Sequence, residues 1–216
     1  MERKQAGFTL VEIAIVLVII GLLLGGILKG QEMITQAKIK NVIADFSGIA
    51  AAYHGYQDRY RKVPGDDNQA AARWNVAGID GNGNGWVAGK YNSGTATDES
   101  RLWWDHLRRA GFVSGTGSSQ PINATGGIVG VQTGDAAATP AVALGSMFGT
   151  IVCSSNIADK IAIALDNQMD DGDSRAGTVR AQRHVAAGPN PDINGGADAA
   201  TYQETGTNVY TVCRTF

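Results

Sequence analysis

The chain has 216 residues, a length that suits one or at most two modest domains. Hydrophobic residues make up 44% and charged residues 18%, which supports a buried core and excludes wholesale disorder. The net charge is −2 and no basic stripe is present, so a phosphate backbone is not the default partner and no nucleic acid is predicted.

Residues 1–7 form a short polar leader with a basic pair, Arg3 and Lys4. From Phe8 to Leu28 the chain is apolar apart from Thr9, Glu12 and three glycines. As a helix this stretch would span roughly 32 Å, the hydrocarbon thickness of a bilayer. The basic leader would then stay on the cytoplasmic side. An ordinary secretory signal ends in a cleavage site after its apolar stretch, whereas here Lys29-Gly30-Gln31-Glu32-Met33 continues as helix. A plain membrane anchor explains everything except Glu12. A carboxylate one turn into a spanning helix costs a few kcal/mol and usually marks a function.

The run Gly7-Phe8-Thr9-Leu10-Val11-Glu12, followed by an apolar helix, resembles the processing site of type IV pilins and type II secretion pseudopilins. The resemblance implies that a membrane aspartyl peptidase cuts between Gly7 and Phe8. It also implies that the new amino group of Phe8 is methylated, and that Glu12 neutralises that amine, commonly on a neighbouring subunit during assembly. Two charges inside a helical bundle are tolerable only when paired. The implied partners are other pilin-like subunits, the prepilin peptidase and methyltransferase, the inner-membrane assembly machinery and membrane lipid. The implied location is the bacterial inner membrane as a single-pass precursor with a periplasmic head, then a pilus or pseudopilus in the periplasm or at the cell surface. The chain departs from many members of the family at Lys29, where they carry a proline. Gly25, Gly26 and Gly30 surround Lys29, and each costs about 1 kcal/mol against alanine in a helix. Bending here is therefore expected from weak propensity rather than from a proline break.

The helix is expected to continue as an amphipathic segment over residues 29–61. Ile39, Val42, Ile43, Phe46, Ile49, Ala50, Tyr53, Tyr56 and Tyr60 recur at intervals of three and four. The tyrosine stripe is read as packing against a head. Val63-Pro64-Gly65-Asp66 stops the helix, and residues 62–216 form the head. Residues 66–97 read as loops. Asp98–Ala110 reads as a helix, with Thr95 and Asp98 at capping-box spacing and Gly111 as its stop. Residues 114–146 read as short strands and exposed loop. Phe148–Cys153 reads as a strand, followed by a helix capped at Ser155 or Asn156 that carries Ile157, Ile161 and Leu165. Thr178–Ala181 and Val209–Cys213 are further strands. The expected fold class is α+β, the pilin ladle: a long N-terminal helix packed on a small, mostly antiparallel sheet.

Cys153 and Cys213 are the two cysteines. In an oxidising compartment one disulfide is the natural reading, worth about 4 kcal/mol in the chain-entropy model; two buried free thiols are the alternative. Asp80-Gly81-Asn82-Gly83-Asn84-Gly85 matches the first half of a calcium loop, with Asp80, Asn82 and Asn84 as oxygen donors. Tyr91 stands where a bidentate Glu is required, so a metal-free Asn/Gly turn is the competing reading. Asp166, Asp170, Asp171 and Asp173 offer a second cation site or, with Arg175 and Arg180, a structural Asp–Arg turn. His54, His106 and His184 share no ligand spacing, and no nucleophile triad or nucleotide loop is present in the sequence. No catalysis is expected. The sequence leaves three roles open: a structural filament subunit, a minor or tip subunit with an adhesive head, and a single-span anchored periplasmic binding protein.

Overall fold

The computed structural model describes residues 8–134, 144, 147–184, 190–193 and 201–216. The leader 1–7, Gly7 included, lies outside the described residues, as do 135–143 and 145–146 of the stretch read as exposed loop. Helix α1 runs Leu10–Tyr60. After it come α2 (Ala70–Trp74), α3 (Glu99–Arg109), β1 (Val129–Thr133), β2 (Thr150–Ala158), α4 (Asp159–Met169), β3 (Val179–His184) and β4 (Val209–Thr215). A long apolar N-terminal helix with a four-stranded antiparallel sheet is the α+β architecture of the pilin fold. The chain divides into two compact units, Met1–Lys38 and Ile39–Phe216, with the boundary inside α1.

In the first unit α1 passes through Gly25, Gly26 and Gly30 without a break. Leucine and isoleucine neighbours supply enough propensity to carry three weak positions. The most apolar 18-residue window of the helix has a mean hydropathy of 2.8 and none of it is buried. The helix is therefore long and apolar enough to cross a membrane.

In the second unit α1 turns amphipathic and buries Ile39, Val42, Phe46, Ile49, Ala52 and Tyr56. Ala52 takes the place expected of Ala50, which is only half-buried. These side chains share one core with Val129, Val131, Val152, Val179, Tyr210 and Val212 of the sheet and with Trp103, Trp104 and Leu107 of α3. The strand order is β1-β2-β4-β3, every pair antiparallel. The two-residue strand period sends Val152 and Val212 into that core. Ile151, Cys153 and Cys213 pack into a second cluster with Tyr91, Leu144, Met147 and Ile193. Cys153 and Cys213 stand opposite each other in the β2–β4 register and are joined by a disulfide.

Three local expectations need correction. The capping box at Thr95 and Asp98 does not form: Asp98 is the N-cap of α3, but its side chain makes no cap bond and instead accepts from Ser93 Oγ at 2.5 Å. Neither Ser155 nor Asn156 caps a helix, because β2 continues through Ile157 to Ala158 and α4 begins only at Asp159. The strand survives by bulging between Ser154 and Ile157, with Asn156 at φ 57° taking up the kink. Residues 66–97 are not all loop, since α2 lies among them. The stop at Gly111 does form: its N–H reaches the Arg108 carbonyl and that of Phe112 reaches Leu107, a Schellman motif closed by Gly111 at φ 81°.

Candidate functional site

The N-terminal site is built on the first turn of α1. Thr9 precedes Leu10, the first helical residue, and Glu12 follows three positions after Thr9. Thr9 N–H donates to Glu12 Oε2 at 2.8 Å, and Thr9 Oγ1 donates to the same oxygen at 2.8 Å. Glu12 N–H returns a bond to Thr9 Oγ1 at 3.3 Å. This is a reciprocal capping box, which satisfies two of the orphan N–H groups at a helix start. Glu12 reads in sequence as a lone charge in an apolar run, yet Thr9-Leu10-Val11-Glu12 carries the Thr-x-x-Glu signature of that box. Glu12 Oε2 is thus engaged, while Oε1 has no partner among the described residues. Phe8 is 82% exposed beside it.

In the head, carboxylates organise the loop that links α1 to α3. Asp66 Oδ1 accepts the N–H groups of Gly83 (2.6 Å) and Asn84 (3.0 Å), and its Oδ2 accepts that of Gly85 (2.6 Å). Glu99 accepts from Asn82 and Ala88, both at 2.8 Å. Asp67 is fully buried, where it accepts Tyr56 Oη at 2.7 Å and pairs with Arg73. Burial works against that charge, but the Arg73 and Tyr56 bonds hold the Asp67 carboxyl below its usual range. Asp66 reads in sequence as part of a helix stop. Its role as an acceptor is not legible there, because its partners lie some seventeen residues away in the chain.

The residues of the candidate calcium loop sit within this arrangement. Asp80 Oδ1 accepts Ala71 N–H at 2.7 Å, Asn82 Oδ1 accepts Asn84 N–H at 3.0 Å, and Asn84 Oδ1 accepts Trp86 N–H at 2.9 Å. Each of the three therefore spends one oxygen on a backbone donor. Gly81 is required here, since a Cβ would come within 2.3 Å of the Gly65 carbonyl oxygen.

The acidic turn after α4 brings ligand oxygens of Asp166, Asp170 and Asp171 within 4.8 Å of one another, a weak candidate for a cation. Asp166 is buried and accepts Tyr202 Oη at 2.7 Å and Gly172 N–H at 3.1 Å. Burial pushes its carboxyl above the usual range. Asp173 pairs with Arg175 at 3.1 Å, whereas Arg180 donates to the carbonyls of Leu144 and Gly177.

The tyrosine stripe is head packing. Tyr53 stacks on Trp103 and Phe216, and Tyr56 stacks on His106. His106 is itself structural: its Nδ1 accepts Gly65 N–H at 2.9 Å, so its Nε2 carries the proton and donates to the Ile79 carbonyl at 2.7 Å.

Residues 3–28 match the family model described as the prokaryotic N-terminal methylation motif. The match ends before the head begins. No curated protein and no solved structure matches the chain.

Proposed function

We propose, from the prepilin signal of type IV pilins and pseudopilins that residues 3–28 carry, that this chain is the structural subunit of a type IV pilus or pseudopilus filament. Prepilin peptidase cuts between Gly7 and Phe8, the Phe8 amine is methylated, and the inner-membrane machinery extracts the subunit into a filament built on α1. The observation that carries this reading is a carboxylate, Glu12, at the head of an apolar helix with no buried residue in its most apolar window. The capping box uses one Glu12 oxygen and leaves the other for a cationic amine. Moving α1 from lipid to a helical bundle exchanges one apolar surround for another. Specificity then falls to packing and to the Glu12–amine pair.

Mass spectrometry of the N-terminus of the protein from its native cell tests the reading. A methylated Phe8 is expected; an intact Met1 would mean a retained anchor. Shearing the cells and probing the released fibres separates a surface pilus from a periplasmic one.

Calcium belongs to the same proposal as a ligand of the head, at Asp80, Asn82 and Asn84 or at the Asp166–Asp171 turn. Titration calorimetry with calcium on the detergent-solubilised chain is expected to give heat that Asp80→Ala or Asp170→Ala removes. No heat from the native chain would discard both places.

A further inference from the structure

Within the Ile39–Phe216 unit, α1 and the segment after α3 enclose a groove of about 320 Å³. Its walls include Ala44, Asp45, Gly48, Ile49, Trp104 and Ile122. Three observations mark it as unfinished. The Asp45 carboxylate has no partner among the described residues, although burial presses on it enough to raise its pKa. Trp104 is fully buried, yet its indole N–H finds no acceptor. Ile122 stands 77% exposed at the rim, and a Cβ added at Gly48 would meet nothing within 4 Å. An apolar groove with an unanswered carboxylate calls for an apolar segment that carries a cation.

The chain itself contains such a segment. Phe8–Leu28 already fills the hydrocarbon thickness of a bilayer, about 30 Å, so Met33 and Ile34 lie beyond it. Both are nonetheless more than half exposed. Lys38 follows Ile34 by four residues, on the same side of the helix, and has no partner among the described residues. An apolar helix face outside the lipid needs a protein cover, and the groove offers one of matching polarity and opposite charge.

We propose that the groove at Asp45, Gly48 and Ile122 receives the Met33–Lys38 stretch of a second copy, with Lys38 of that copy answering Asp45. The contact is heterologous, because one copy gives the helix segment and the other the groove, so it propagates as an open filament. The inference rests on the filament reading above and adds a specific subunit contact outside the apolar bundle.

The test is made on the full chain in its native cell. Ile34→Cys and Ile122→Cys are combined, both at exposed positions, and the assembled filaments are oxidised. Disulfide-linked multimers are expected. Gln36→Cys with Ile122→Cys should give none, because two residues along a helix turn the side chain to the opposite side. Separately, Asp45→Lys should lower filament yield at least tenfold, and adding Lys38→Asp should restore it. Filaments that form but do not cross-link through positions 34 and 122, or an Asp45→Lys defect that Lys38→Asp leaves unrepaired, overturn the groove contact while the filament reading stands. Absence of filaments from the native chain, with Met1 intact, overturns both.

Discussion

At the scale of single residues, Glu12 holds two roles that chemistry can separate. As the third helical residue it caps α1 through Thr9; as a carboxylate it is available to a cation. Glutamine at this position keeps the capping geometry and removes the charge. Glu12→Gln is therefore expected to insert and be cleaved normally while losing filament assembly, and Glu12→Leu should behave likewise. Thr9→Ala should leave assembly intact and cost about 1 kcal/mol of helix start. Filament yield by shearing reads all three, and normal yield from Glu12→Gln would contradict the charge role. Asp66 is the corresponding residue of the head. Asp66→Ala removes the shared acceptor of three N–H groups, of which Asn84 keeps Asn82 Oδ1 and the other two can turn to water. At a net worth of about 0.5–1.5 kcal/mol for each bond, the loss should be about 1–3 kcal/mol. The four tryptophans all lie in the head, so their fluorescence in the detergent-solubilised chain reports its unfolding.

At the scale of elements, His106 fastens the Gly65–Ile79 segment to α3. Burial is the largest influence on its imidazole and lowers its pKa from 6.5. The unfolded chain then takes up a proton near pH 6.5 that the folded one refuses. The stability due to His106 is accordingly complete above pH 6.5 and lost as pH falls below it toward the depressed folded value. Melting followed by tryptophan emission between pH 7.5 and 5 should show this decline, and His106→Asn should start lower and flatten it. Burial raises the pKa values of Glu99 and Asp166, which act in the opposite sense, so the difference between the native chain and His106→Asn isolates the imidazole. The α1 stripe is a second element-scale case. Phe46 is 1% exposed in the core that α1 shares with the sheet. Phe46→Ala should cost about 3–5 kcal/mol, whereas Ser47→Ala, on the exposed side, should cost under 0.5 kcal/mol.

At the scale of the whole molecule, the disulfide ties two central strands at register partners sixty residues apart. Reduction should destabilise the head by about 4 kcal/mol in the chain-entropy model. Urea unfolding of the detergent-solubilised chain with and without reductant measures it. A midpoint unchanged by reductant would show that the strand pairing alone sets the stability.

What the sequence determined by itself is what depends on neighbours along the chain. The leader, the apolar span, the Gly7–Glu12 signature and the three-four stripe from Ile39 to Tyr60 are all local patterns, as are the Gly111 stop and the strands at 179 and 209. The Thr9–Glu12 box is legible in the same way, since its two partners stand three residues apart. What only the tertiary structure decided involves partners far apart. β1 hides in a Gly- and Thr-rich stretch because its identity comes from pairing with β2, and Gly130 is needed there since a Cβ would sit 1.9 Å from the Tyr91 carbonyl oxygen. Asp66 becomes the centre of a loop only when Gly83, Asn84 and Gly85 fold back onto it. β2 runs past Ser154 because β4 supplies hydrogen bonds beyond the bulge. Helix periodicity is written in single side chains, whereas strand pairing and buried carboxylates take their meaning from contacts that no short window contains.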